Sequence, residues 1–332
     1  MSGPAPADDS PPAKRQRTED EPITRSEIWY QDGSVVLQAQ NIQFRVHWSI
    51  LSQNSAFFSQ LMGLPQPPDQ PTMDNCPIVE LQDDATDAEY LLKALYNLKF
   101  LYQPMLPLPV VSALIRLGRK YDFRDVLEAA VERITFENPA TLKEYDARRN
   151  WEEKTTYTPT RIDPYRAFEF DILTLAREND IVSALPAAYY RALNRGLDSL
   201  LDGIPRDDGT LASLASIDLR RCIRGREQLM KAQTEPGNTW GWLESELWDY
   251  DECTGTSGQC DFVRHALFLD MKVKDPIKLR ALNRCSEGYF KSMCNPCRLY
   301  VNELVAEGRK KMWEDLPSFF DLPPWSELKN DP

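Results

Sequence analysis

The sequence predicts an α+β chain: a short β-sheet flanked by helices over residues 24–136, then a mostly α-helical C-terminal region over 137–332, behind a disordered tail of residues 1–23. Three observations predict this. The apolar, β-branched run Ser34 to Ala39 resumes at Ile42 to Val46 across the polar pair Gln40-Asn41, the pattern of a hairpin. From His47 the alternation stops: Ile50, Leu51, Phe57, Phe58, Leu61 and Met62 suit two short helices, with Ser55 placed to cap the second. Later, apolar residues recur at helical spacing, as in Val111, Leu114, Ile115 and Gly118, then Leu127, Ala130, Val131 and Ile134.

Taken in order, Asp32-Gly33 marks a turn before the hairpin, because glycine tolerates positive φ and aspartate bonds its own backbone. Residues 63–77 hold five prolines and read as a surface loop; Ile78 to Leu81 is a short strand. Thr86 and Glu89 have the spacing of a capping box for the helix carrying Tyr90, Leu91, Ala94, Leu95 and Leu98. Asn138 to Asp163 is a polar, aromatic connection or helical excursion. Pro164 is expected to open a helix with Phe168, Ile172, Leu175 and Ala176 on its apolar face. The next helix buries Leu185, Tyr189, Ala192 and Leu193, and Gly196 stops it. A loop over Gly203 to Gly209 leads to a helix with Leu219, Cys222, Ile223 and Met230 on one face, which makes Cys222 a small core residue.

Trp240, Trp242 and Trp248 crowd one segment. Tryptophans stack bases or cage cations, but acidic neighbours favour a small core instead. A last helix carries Val301, Leu304, Val305, Gly308 and Met312. The aromatics between Trp313 and Trp325 then dock back on the helices, an exposed docking peptide being the alternative.

The passage from hairpin to helices carries Phe44, His47, Leu51, Ser55 and Phe58 at spacings of three, four, four and three, with Met62 following. This resembles the signature of the BTB (POZ) domain, and Trp29, Asp32-Gly33 and Val36-Leu37 are similar to its fungal version. Trp48 departs from the family, which usually has a basic residue there. The resemblance implies a BTB fold over 24–136 with helical pairs after it that extend the platform. It also implies a non-enzymatic protein-interaction module that self-associates as a homodimer and recruits protein partners. The dimer surface is expected near Trp29, Trp48 and Leu51. Family members often serve as substrate adaptors of cullin-type ubiquitin ligases, which is the first rival function. His47 reads as a hydrogen-bonded, half-buried structural residue, because no second ligand lies at metal or catalytic spacing in the sequence.

The net charge of −12 gives no general attraction to phosphate backbones, so direct nucleic-acid binding is not expected. No apolar run approaches 20 residues and no charged-then-apolar leader is present, which argues against a membrane span or a secretory signal. Seven cysteines, an odd number, do not make a disulfide framework. The expected setting is therefore intracellular, nuclear or cytoplasmic. Lys14, Arg15 and Arg17 form a short basic cluster in the tail that resembles a nuclear import signal, or else a solubilising charge run. On that cluster rests the second rival, a nuclear transcriptional regulator.

No catalytic motif is legible, so no catalytic residue is assigned. Cys294-Asn-Pro-Cys297, with Cys253 and Cys260 upstream and Cys285 before it, leaves three readings open: unliganded loop thiols, a zinc site, or a redox pair of thioredoxin-like spacing. Spacing alone favours unliganded thiols. The six-residue gap between Cys253 and Cys260 exceeds the usual knuckle, and the redox motif wants a βαβ context that is not evident. No metal ligand and no cofactor is therefore assigned from sequence.

Overall fold

The computed structural model describes residues 22–65, 69–148, 157–244, 252–256, 258–274, 277–284 and 287–330. Most of the tail, including Lys14, Arg15 and Arg17, lies outside the described residues, as do Trp248 and Cys285. The chain divides into two compact units, residues 1–92 and 93–332.

The first unit is built on a sheet of order β1-β3-β2-β5-β4. β2 (Val35–Ala39) and β3 (Ile42–Val46) form the expected antiparallel hairpin, with Ala39 opposite Ile42 and Gln40 in the left-handed region at φ 51°. β1 (Thr24–Trp29) runs parallel to β3; its polar Thr-Arg-Ser-Glu start carries no strand signal, and it went unpredicted. β5 (Cys76–Leu81) runs parallel to β2, and β4 (Thr72–Met73) pairs with it inside the stretch expected to be loop. Central β2 buries Val35, Val36, Leu37 and Ala39, so it reads as a continuous apolar run rather than an alternation.

Two short helices follow, α1 (Trp48–Asn54) and α2 (Ala56–Met62). Ser55 caps α2, its hydroxyl accepting from the Phe58 N–H at 3.0 Å. α3 (Ala85–Tyr96) is capped by Asp84, whose carboxylate accepts from Thr86 N–H at 2.8 Å and Asp87 N–H at 3.4 Å. The capping box expected at Thr86 is thereby corrected: the cap is Asp84 and the helix starts two residues earlier.

The second unit is helical. α4 (Leu98–Leu101), α5 (Leu108–Lys120) and α6 (Arg124–Glu137) come first. Buried Arg133 on α6 donates to the carbonyls of Leu101, Gln103, Pro104 and Arg161 at 2.7–3.2 Å, satisfying acceptors that helix and loop geometry leave open. α7 (Leu142–Ala147) occupies the segment left as connection or excursion. α8 (Phe168–Glu178) starts four residues after Pro164, so that proline does not open it.

All nine residues of α9 (Leu185–Leu193) are buried, not one face only. Buried Arg191 lies over the Tyr157 ring at 3.2 Å. α10 (Leu197–Asp202) follows Gly196, which has φ 90°, and a two-residue pairing of β6 (Ile204–Pro205) with β7 (Leu211–Ala212) frames the loop between.

α11 (Ser216–Ala232) buries Asp218, Cys222, Gly225, Leu229 and Ala232, whereas Ile223 is exposed. The expected stripe is thus rotated, for two reasons. Asp218 faces inward to accept from Arg177 at 2.5 Å and Tyr189 at 2.6 Å. Gly225 meets Phe320, where a Cβ would lie 2.5 Å from the ring.

α12 (Gln259–Leu269), α13 (Glu287–Phe290) and α14 (Asn295–Glu314) complete the order. The terminal aromatics dock back, as expected. Trp325 stacks on Trp313 at 5.4 Å, the Trp313 indole donates to Ala140 O at 3.1 Å, and Phe320 stacks on Tyr189 at 5.0 Å. Beside them, buried Arg309 on α14 grips Asp146 on α7 at 2.5 and 3.1 Å and also donates to Leu282 O.

Removing one partner of such a pair leaves a buried charge uncompensated. Asp146→Ala should destabilise the chain by about 3–5 kcal/mol in denaturant unfolding followed by circular dichroism, and Arg309→Met added to it should restore part of the loss. A single variant within experimental error of the parent would show the pair to be dispensable.

Candidate functional site

Two groups of residues qualify, one in each unit. In the first unit, Phe44, Leu51 and Phe58 are at most 1% exposed and belong to the core. Leu51 therefore leaves the dimer surface expected around it. Trp48, at the head of α1, is half-buried; its N–H donates to the Ser34 hydroxyl at 3.0 Å and its ring meets Phe58 edge-on at 6.3 Å. Trp29 is half-buried under the Arg25 guanidinium, 4.3 Å above its ring.

His47 is half-buried, with Nε2 3.2 Å from Asp32 and its ring 5.3 Å from Tyr30. Its own backbone, and then His47, hold the Asp32 carboxyl below the usual carboxylate range. Asp32 was legible only as a turn residue; its pairing with His47 across fifteen positions was not. Beyond α1, the chain exposes Phe57, Met62 and Leu64 at 43, 55 and 60%.

In the second unit, the sulfurs of Cys253, Cys260, Cys294 and Cys297 all lie within 4.8 Å of one another. Cys253 comes from the loop before α12, Cys260 from its first turn, Cys294 is the N-cap of α14, and Cys297 is in its first turn. All four thiols are free. Cys253 and Cys294 approach to 3.9 Å, and Cys294 N–H donates to the Cys260 sulfur at 3.3 Å.

Burial works against the Cys294 thiolate, but donation from Cys297 and from the Thr254 backbone outweighs it and brings this thiol down to about 6. Burial pushes the Cys260 and Cys297 thiols up. Beneath the sulfurs lies a core of Trp240, Trp242, Val263, Leu267, Phe290 and Val301, the small-core role expected of the first two tryptophans. Cys222 is remote in kind: wholly buried on α11, its thiol is pushed by burial up to about 12.

A sheet that feeds two short helices, the second capped by Ser55, is the architecture that the spacing of Phe44, His47, Leu51, Ser55 and Phe58 implies. Comparison with family models finds a BTB/POZ domain at residues 30–136. BTB domains are protein–protein interaction modules, without chemistry of their own, and often dimerise. No curated protein matches the chain. Among the described residues no helix is long and apolar enough to cross a membrane.

The thiol cluster makes its own prediction. In reduced, chelator-treated protein, alkylation at Cys294 should fall as pH drops through about 6, because only the thiolate reacts. Cys260 and Cys297 should stay protonated and slow at neutral pH. Peptide mass spectrometry reads each rate, and equal rates at Cys260, Cys294 and Cys297 would contradict the assigned polarity.

Proposed function

We propose that the chain is a non-enzymatic protein-interaction module, of the fungal BTB type, that self-associates through its BTB domain and recruits protein partners. The observation carrying this reading is the BTB/POZ domain at residues 30–136. Support for self-association comes from the apolar side chains left at solvent along 57–64 and from half-buried Trp29 and Trp48 earlier in the same domain. An interface of standard size covers about 800 Å² per partner and needs several such anchors.

Trp48 stands where the family usually carries a charge, so an apolar contact replaces a polar one there. The partners are proteins, the setting is intracellular, and the basic cluster Lys14, Arg15 and Arg17 directs a nuclear fraction. Service as a cullin adaptor or as a nuclear transcriptional regulator would be a specialisation of the same module.

The test uses the full chain. Trp48→Glu should weaken self-association at least tenfold in light scattering while leaving circular dichroism unchanged; a folded parent chain that stays monomeric at high concentration would reject the homodimer. Affinity capture then separates the specialisations, a cullin scaffold identifying the adaptor. Alanine at Lys14, Arg15 and Arg17 should shift a tagged chain out of the nucleus, and an unchanged distribution removes the import reading.

A further inference from the structure

Four thiols from three chain segments meet at one point, and apolar packing does not account for them. Cys260 and Cys297 are buried in the core, but Cys253 is exposed and Cys294 only half-buried, so the cluster runs from the core out to its rim, where packing alone gives no reason for thiols. Disulfides do not account for them either: a bond needs sulfurs about 2.05 Å apart, whereas Cys253 and Cys294 stand at 3.9 Å. That distance is the edge of a tetrahedron around a zinc ion, since Zn–S bonds of about 2.3 Å place sulfurs roughly 3.8 Å apart.

The surroundings suit an anionic centre. A zinc tetrathiolate carries a net charge of about −2. The N-termini of two helices, the 11-residue α12 and the 20-residue α14, both start at it, each presenting the positive end of its dipole. The backbone N–H of Cys294 donates to the Cys260 sulfur at 3.3 Å, as outer-shell partners of metal thiolates do. Gly255 gives the loop room to wrap the cluster: a Cβ there would lie 3.0 Å from the Cys260 sulfur and 3.6 Å from that of Cys253.

We propose that Cys253, Cys260, Cys294 and Cys297 bind one Zn²⁺ as a closed, structural tetrathiolate that staples the start of α12 to the start of α14. All four positions are filled by protein, so no coordination site is left for a substrate. All-sulfur tetrahedral ligation selects against magnesium and calcium, which take oxygen. A redox role for Cys294 and Cys297 fits less well, because the described elements around them are helices and turns, with no βαβ unit. The proposal is independent of the BTB reading, since it concerns residues outside 30–136.

The experiment is elemental analysis of the purified full chain, which should contain about one zinc per chain. Cys76→Ser, remote in sequence, should retain it, and Cys253→Ser should weaken zinc binding by more than about 100-fold in chelator competition. If Cys253→Ser fails to fold, the parent chain still decides the matter. Exchange of zinc for Co²⁺ should produce the intense visible bands of a tetrahedral tetrathiolate, and chelation should lower helical content. Metal-free protein, iron in place of zinc, a Cys294–Cys297 disulfide in metal-free protein, or cobalt bands of an octahedral oxygen site would each overturn the proposal.

Discussion

The helical unit depends on the grip of Arg309 on Asp146. Arg309 is 5% exposed, so its charge must be answered inside the protein, and Asp146 with Leu282 O answers it. The pair joins positions 163 residues apart, and the Trp313 indole on Ala140 O ties the same two regions again. Such closure is less costly than the separation suggests. Loop entropy grows only logarithmically, so closing 163 residues rather than about 40 adds on the order of 1.2 kcal/mol. Fixed at both ends, the chain between has to pack around α9, which is buried on every side.

What could be read from the sequence was local. The β2–β3 hairpin was legible because two apolar runs meet across two polar residues, and α2 because Ser55 sits where its cap must be. The BTB-like spacing from Phe44 to Phe58 placed the domain, and the family comparison finds it over 30–136. What escaped depends on distant partners. β1 has no pattern of its own and is a strand only because β3 offers it hydrogen bonds. The buried face of α11 is set by Phe320 and Arg177, neither recognisable as a neighbour from its position. The thiols are the sharpest case: a six-residue gap and a two-residue gap look unrelated until two helix starts converge.

The two units bear different kinds of interaction. In the first, half-buried aromatics and exposed apolar side chains around α1 and α2 suit a surface that meets another protein. The proposed metal centre acts inwardly. It sits over a core of Trp240, Trp242, Phe290 and Val301, and a metal there would tie the starts of α12 and α14 together at its rim.

The docking of Phe320 and Trp325 has a consequence for how the protein is made. All strands of the first sheet exist once Leu81 has been synthesised, but α9 and α11 lack their aromatic cover until translation has passed Phe320. At ordinary elongation rates that interval is roughly 10–50 s. Once made, Tyr189 waits for Phe320 to stack on and the Gly225 notch stands empty, so the helical half completes its packing only near the end of synthesis.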